Sequence, residues 1–464
     1  MAENTSIETR DGFKSKWGFI LACIGSAVGM GNIWRFPIMV TKFGGLTFLI
    51  PYFIFVVLIG STGIIGEFAM GRAAKAGPIG AFGACTEVGG KGKKVGELIG
   101  WIPVIGSMGL AIGYTVVMSW IFKYAFMSIN GSLYALGQDM GAIGGTFGGA
   151  APEAASIGES VSMVLGGAGN TVWLIIGLVV ALVIMAMGIA AGIEAANKIM
   201  MPLLFGLFVV LGIYIATVPG AGAGYKFIFT LNPAGLLNPQ VWIFAFGQAF
   251  FSLSVAGNGS VIYGSYLPDN EDIPSSARRV AFFDTLAALL AAFVIIPAIA
   301  ASNIDINSVG GGPGLMFVYL VNVINGMPGG RIVGMVFYIA VLFAGLSSIV
   351  NLYEAPVAML QERFNIKRIP AVAIIGVVGG VIAILIQAVT SQWMDYVSIY
   401  ICPLGAFLAG LMFFWIAGKD YVLKNVNQGA KAPIGDWFLP LSKYVYCILA
   451  VVALVAGAIL GGIG

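Results

Sequence analysis

The sequence predicts an all-α polytopic membrane protein, on three observations: abundant apolar residues, scarce charge, and apolar runs of bilayer length that recur along the chain. Hydrophobic residues make up 59% of the 464 and charged residues 9%, with a mean hydropathy of +0.97. A soluble domain carries roughly 25% charged residues. So little charge over so long a chain leaves too little polar surface for a water-soluble globule. Crossing the hydrocarbon takes about 20 helical residues, and runs of that length follow one another from end to end.

Eleven spans are expected, at about 17–41, 46–71, 96–125, 171–190, 198–218, 241–266, 279–300, 333–362, 370–390, 394–417 and 437–462. They form one integral membrane domain over 1–464, with a first repeat over about 17–218, a second over about 241–417 and an extra helix at the end. The segment before the first span is polar, and the apolar run after it is long and leads into a second, which does not fit a cleavable signal.

Lys and Arg concentrate in alternate loops, and such bias marks the cytoplasmic side. Arg10, Lys14 and Lys16 precede the first span, and Arg72, Lys75, Lys91, Lys93 and Lys94 follow the second. Lys198, then Arg278 and Arg279, then Arg363, Lys367 and Arg368 continue the series, which closes with Lys419, Lys424, Lys431 and Lys443. The segment 129–170 has no Lys or Arg. The expected placement is the cell's inner (plasma) membrane, with the N-terminus cytoplasmic and, for an odd number of spans, the C-terminus outside. Segments 129–170, 219–240 and 301–332 become outer loops, the last Gly-rich and partly apolar and expected to fold back as a lid.

Composition also excludes. A net charge of only +3 argues against a nucleic acid or other polyanionic partner. There is no His, and Cys23, Cys85, Cys402 and Cys447 are scattered, so neither a zinc site nor a His-based triad is expected. The thiols read as free and buried. A membrane-embedded enzyme would need a nucleophile, an acid/base pair or a metal, and the sequence offers none in a recognisable pattern.

Two spans carry breaks. Gly25-Ser-Ala-Val-Gly-Met-Gly-Asn-Ile-Trp-Arg-Phe-Pro37 lies in the first and Phe250-Phe-Ser-Leu-Ser-Val-Ala-Gly-Asn-Gly-Ser260 in the sixth. Glycine weakens helix, and Asn and Ser offer freed backbone a competing partner. Unpaired backbone is costly in hydrocarbon, so unwinding is tolerated where ions or substrate take up the freed groups. For one segment, close helix packing through Gly25 and Gly29 explains the pattern as well. Two such segments, each opening one half of the chain, point to an inverted-repeat transporter with a site at the midplane. Arg35 reads as a buried charge or as one snorkelling at a helix end. Glu67 reads as bracing unwound backbone. Ser347 and Ser348 read as oxygen ligands or as back-bonded to their own helix.

At these residues the sequence resembles the neurotransmitter:sodium symporter family, from about Arg10 to Lys419. The stretch GSAVGMGNIWRFP carries most of the likeness, and FFSLS, FAGLSS and EFAMGR support it. The resemblance implies a five-plus-five inverted repeat, two sodium ions and a small amino-acid substrate moved by alternating access. One sodium site would use the Ala27 carbonyl, Asn32, Ser252 and Asp284, with the substrate carboxylate. The other would use the carbonyls of Gly25, Val28 and Ala344 and the hydroxyls of Ser347 and Ser348. The substrate carboxylate would meet the half-helix N-terminus at Met30 and Gly31 and the Tyr114 hydroxyl. Its amine would face Ala27, Phe251, Ser252 and Ser254. The side-chain pocket would be Ser26, Leu110, Gly257, Ser348 and Leu352. Arg35 with Asp395 would gate the outside, under a lid of Phe251 and Tyr114, and Arg10 with Glu362 the inside.

The pattern is departed from at Gly257-Asn258, in the span count (many relatives have twelve) and at Asp284, where Asn is usual. Chloride-dependent members hold an anion near the first sodium site. This chain keeps Tyr52, Gln248 and Ser252 there but has Ala288 at the serine position, with Asp284 one turn earlier. A carboxylate at 284 would supply the charge chloride brings, so chloride is not expected to be required. The alternative for Asp284 is an acid near a helix N-terminus. The expected function is sodium-coupled import of a neutral, hydrophobic or aromatic L-amino acid. A proton-coupled carrier of the same repeat, and a channel, are the alternatives.

Overall fold

The computed structural model describes residues 12–255, 259–302 and 311–463, and among them every regular element is helical. Eight helices are long and apolar enough to cross a membrane by length and composition, and a bent pair, Lys16–Ala27 with Gly31–Phe43, makes nine. Leu46–Ala74, Lys93–Asn130, Ile189–Ala216, Ile273–Ala301, Gly330–Phe364, Arg368–Leu385, Gln387–Ile416 and Phe438–Leu460 are the eight. Two further expected segments form shorter helices. The fourth is Thr171–Ala186, and the sixth is divided into Pro239–Ser252 and Gly259–Ser265. All four cysteines are free and buried.

The chain is apolar outside as well as inside. Val57, Ile213 and Val377 are each about two-thirds exposed. On a water-soluble protein such a surface would aggregate; a bilayer solvates it.

The first helix starts at an N-cap. Ser15 has extended backbone and its hydroxyl accepts from the Gly18 N–H at 3.0 Å, closing an otherwise orphaned donor. The same hydroxyl donates to Glu194 Oε1 at 2.8 Å, and the Lys14 N–H donates to Glu194 Oε2 at 2.7 Å. Lys198 Nζ completes the cluster at 2.6 Å. One carboxylate thus anchors the start of the first span to the fifth.

From there Lys16–Ala27 packs on Ala195–Ala216, Gly330–Phe364 and Ile273–Ala301. The halves of the sixth span pack separately. Pro239–Ser252 lies on Leu46–Ser61, and Gly259–Ser265 lies on Gly63–Ala74. The two broken spans therefore meet inside a frame of continuous ones.

Several loops are more ordered than their composition suggests. Segment 129–170 holds the helices Met140–Ala150, capped by Asp139, and Ile157–Leu165. In the outer segment expected as a lid, Leu315–Asn325 is helical, and Phe317 packs against the rings of Trp120, Tyr124, Phe147 and Tyr338. Arg72, which sequence reading treats as a loop charge, ends the helix Gly63–Ala74 with its side chain buried. Its guanidinium donates to the carbonyls of Glu271 at 2.8 Å, Asn425 at 2.6 Å and Gln428 at 2.9 Å.

A bidentate ion pair locks a further contact. Arg368 Nη1 and Nη2 donate to the two oxygens of fully buried Glu354 at 2.9 and 2.8 Å, and Tyr266 donates to Glu354 Oε1 at 2.7 Å. Arg368 Nε also donates to the Met185 carbonyl at 2.7 Å, so four spans meet at this cluster. Removing one partner of a buried pair costs about 3–5 kcal/mol, because the other charge stays buried. Glu354→Ala is therefore expected to lower the thermal midpoint of the purified protein by several degrees, and adding Arg368→Met to recover part of the loss. Unchanged melting in Glu354→Ala would mean that water solvates this pair.

Candidate functional site

The first span leaves the helix at Val28, whose backbone is extended (φ −73°, ψ 98°), and the halves on either side are bent by 55°. Asn32 repairs part of the gap: its Oδ1 accepts from the Gly29 N–H at 3.1 Å. The span also packs tightly at the break, so both readings of the glycines hold. A Cβ on Gly25 would lie 2.1 Å from Asn197 Oδ1 and 2.8 Å from Ser347 Cβ, and one on Gly29 would lie 2.9 Å from Ser348 Oγ.

The sixth span breaks after Ser252. Ser254 takes a left-handed φ of 57°, which a residue with a Cβ adopts only at a cost. Its hydroxyl donates to the Ser26 carbonyl at 2.8 Å, joining one break to the other. Gly257, a candidate pocket residue, lies outside the described residues, as does Arg10.

The groups expected at the first sodium site meet. Asn32 Nδ2 donates to Asp284 Oδ1 at 2.8 Å and to Ser252 Oγ at 3.1 Å, and Ser252 Oγ donates to Asp284 Oδ2 at 2.7 Å. All three are buried, Asp284 completely. Asp284 stands deep in Ile273–Ala301 rather than at its N-terminus, so the helix-end reading of this acid does not hold.

The second expected set also gathers. Ser348 Oγ donates across to the Val28 carbonyl at 3.4 Å, while Ser347 Oγ donates to the Ala344 carbonyl of its own helix at 3.0 Å. Gly25 faces Ser347 from the first span. Ser347 thus makes the back-bond of the simpler reading, and Ser348 makes the contact between spans.

Between these clusters lies a cavity of about 250 Å³. It is lined by Ser26, Ala27, Gly31, Leu110, Tyr114, Phe251, Ser252, Ser254, Ser348 and Leu352 among the candidates. Met30 is buried behind it, with its backbone against the Tyr114 hydroxyl. The cavity also takes in Val117, Gly259, Asn351 and Met394, which sequence reading missed. Asn351 carried a usable signal: a polar side chain one turn after Ser347 and Ser348 on the same helix face.

The gates differ. Arg35 feels the charge of Asp395, but among the described residues the two make no direct ion pair, and Arg35 Nε is buried without a hydrogen-bond partner. Glu362 accepts from the Gly77 N–H with both oxygens, at 2.9 and 3.1 Å, and so caps the helix Pro78–Val88. Glu67 is buried and neither of its oxygens is hydrogen-bonded, so it does not brace unwound backbone as expected.

A helical membrane bundle with two broken spans around a central cavity is the architecture of a membrane solute carrier. The profile of the sodium:neurotransmitter symporter family matches residues 10–135 and 157–460, and the chain belongs to that family. A sodium-dependent transporter of Methanocaldococcus jannaschii is 32% identical over 482 residues, covering 97% of this chain and 91% of the relative. The Bacillus subtilis sodium-dependent transporter YhdH is 30% identical over 427 residues, covering 92% and 87%. Among solved structures, that of MhsT in complex with L-phenylalanine aligns with a TM-score of 0.79 at 30% identity, covering 96% of this chain and 99% of MhsT.

The packing at the break generates a paired test. Overpacking a close contact typically costs about 1–3 kcal/mol. Gly25→Ala is expected to lower the thermal midpoint, since the added Cβ would meet Asn197 Oδ1 at 2.1 Å and the Ser347 Cβ at 2.8 Å. Gly31→Ala, where a Cβ meets nothing within 4 Å, is expected to leave it unchanged. Equal melting of the two variants would contradict the close approach of the first span to the fifth and eighth.

Proposed function

We propose that this chain imports a neutral, hydrophobic or aromatic L-amino acid by sodium symport through alternating access. The observation that carries the reading is the buried Asp284 carboxylate held by Asn32 and Ser252 beside the break. A carboxylate at membrane depth is expensive unless a cation or donors balance it. Sodium, a hard cation, takes oxygen ligands of this kind. In the loaded site the Ala27 carbonyl and the substrate carboxylate complete the set with Asn32, Ser252 and Asp284. The second ion sits among Gly25, Val28, Ala344, Ser347 and Ser348, tying the first span to the eighth. Sodium is thus cargo and structural bridge at once, and it shifts the outward–inward equilibrium only by its difference in affinity for the two states.

The cavity supports a small neutral substrate. Its volume is just under the range of about 300–1,000 Å³ typical of drug-sized ligands. Arg35 is the one charged residue among those lining it. The substrate carboxylate meets the half-helix start at Met30 and Gly31 and the Tyr114 hydroxyl. Arg35 and Asp395 close over it from outside, and Arg10 and Glu362 act at the cytoplasmic side, with the N-terminus inside, the C-terminus outside and the eleven spans set as five plus five and one.

Chloride is not required in this reading. Tyr52 is buried beside Asp284, Gln248 Oε1 is buried without a partner, and Ala288 follows Asp284 by one turn on the same buried face. The Asp284 carboxylate then supplies the negative charge that balances sodium, and low local dielectric makes that balance matter.

The test is uptake of labelled leucine, tyrosine and tryptophan into proteoliposomes under inward gradients of sodium chloride, sodium gluconate or potassium chloride. Equal uptake in the two sodium salts is expected, and uptake about tenfold lower in potassium, within the usual range of coupling. Collapse in gluconate would overturn the role of Asp284. Sodium-independent uptake driven by a pH gradient would favour proton coupling, and transport of lysine or glutamate alone would overturn the neutral substrate.

A further inference from the structure

Several polar groups around the cavity are committed to one another. Ser252 Oγ bonds Asp284, Ser254 Oγ bonds the Ser26 carbonyl, and Ser348 Oγ bonds the Val28 carbonyl. Four are not: Ser26 Oγ, Asn351 Oδ1, Arg35 Nε and Gln248 Oε1 belong to cavity-lining residues, are buried and have no hydrogen-bond partner, and of these Ser26 Oγ and Asn351 Oδ1 lie together. Buried polar side-chain atoms are bonded in the large majority of cases, so a pair left open at one place needs an explanation.

Asn351 departs from two other buried mid-helix asparagines. Asn197 Nδ2 donates to the Ile193 carbonyl and Asn425 Nδ2 to the Tyr421 carbonyl, each one turn back at 2.8 Å. That local bond is the usual resting place for a mid-helix polar side chain. Asn351 makes none, although its residue is only 3% exposed. It is instead one of the residues that line the cavity.

The two open groups converge on one point. A Cβ built on Gly259, the first residue of the resumed sixth span, would lie 2.6 Å from Asn351 Nδ2, 3.3 Å from Asn351 Oδ1 and 3.1 Å from Ser26 Oγ. Glycine at 259 therefore lets Asn351 and Ser26 pack directly on the sixth-span backbone, and the three residues form a polar recess in the cavity wall between the first, sixth and eighth spans. The cavity that these residues help to line also has apolar walls, among them Leu110, Val117, Leu352 and Met394. The recess stands on the N-terminal side of the first-span break, away from Gly31 and Gln248 on the other side, where Gln248 Nε2 donates to the Gly31 carbonyl at 3.3 Å.

We propose that this recess reads the tip of the substrate side chain. It selects, among neutral amino acids, those with an apolar body that ends in one N–H or O–H donor. Asn351 Oδ1 accepts that hydrogen bond and Ser26 Oγ lies beside it as a second polar contact. The inference rests on the reading of the cavity as a neutral amino-acid site and narrows it. Phenol and indole side chains meet the requirement; phenyl and branched alkyl side chains do not. A site that hydrogen-bonds its ligand discriminates against the analogue lacking the group far better than an apolar pocket discriminates by size.

The experiment is equilibrium binding to the purified full chain in sodium, read as ligand-dependent thermal stabilisation, with two matched pairs. Tyrosine is compared with phenylalanine, and tryptophan with its indole N-methyl analogue. The donor-bearing member is expected to bind roughly tenfold tighter or more, the size of effect that follows from leaving a buried acceptor unpaired. Asn351→Leu, similar in volume, is expected to collapse both ratios by weakening tyrosine and tryptophan while sparing phenylalanine. Ser26→Ala is expected to reduce the ratios partially, and it decides the matter with the wild-type ratios if Asn351→Leu does not fold. Ratios near one in the wild type, or ratios that survive Asn351→Leu, would overturn the assignment of Asn351. If no neutral amino acid stabilises the wild type in sodium, the reading of the cavity itself falls, and that outcome is distinct from phenylalanine binding as well as tyrosine.

Discussion

One asparagine holds the two halves of the functional centre together. Asn32 sits just past the break in the first span, with its carbonyl oxygen on the Gly29 N–H and its amide nitrogen on Asp284 and Ser252. It therefore does two things that lipid makes necessary: it satisfies freed backbone and it gives a buried carboxylate a donor. In water neither would matter much, because solvent would serve. In hydrocarbon an open backbone group or an unbalanced charge costs several kcal/mol. The bend of the first span, the break of the sixth and the placement of Asp284 in the seventh are consequences of one shared set of hydrogen bonds.

The surrounding frame makes that arrangement durable without freezing it. Continuous helices such as Gly330–Phe364 and Trp101–Asn130 pack on each other, and the halves Lys16–Ala27 and Gly259–Ser265 of the broken spans lie against Gly330–Phe364. Contacts at the break are close because glycine faces glycine-sized space, as at Gly25 and Gly29. Towards the basic end of the bundle, carboxylates act as clamps. Glu194 gathers Lys14, Ser15 and Lys198, and Glu354 gathers Arg368 and Tyr266. Lys75 likewise holds the Asp269 carboxyl below the usual carboxylate range through a direct hydrogen bond at 2.7 Å. Side chains drawn from several helices thus bridge them.

Much of this was legible in the sequence, because the bilayer imposes a strict length and apolarity on each span. The expected span 46–71 is the helix Leu46–Ala74, and 333–362 is Gly330–Phe364. The break at Gly25–Asn32 was legible because so many helix-weakening residues in an apolar run have few other uses. What escaped depends on long-range geometry. Arg72 looked like an orientation marker, yet its partners are carbonyls 199, 353 and 356 residues away. Glu362 looked like a gate and also caps a helix through the Gly77 N–H. Helices in segment 129–170 were hidden by their glycine content. Asn351 is one polar residue in a long helix, where such a side chain usually bonds its own backbone, and the absence of that bond is a property of the folded chain alone.

The claim on which the whole account turns is that Asp284, positioned by Asn32 and Ser252, carries a cation at the break. The most direct measurement is equilibrium binding of radioactive sodium to the purified protein in the presence of a saturating neutral amino acid, for the wild type and for Asp284→Ala. The account predicts that the variant binds less sodium at saturation, or reaches saturation only at about tenfold higher concentration, as loss of a charged ligand at low dielectric requires. Superimposable isotherms for the two proteins would contradict it.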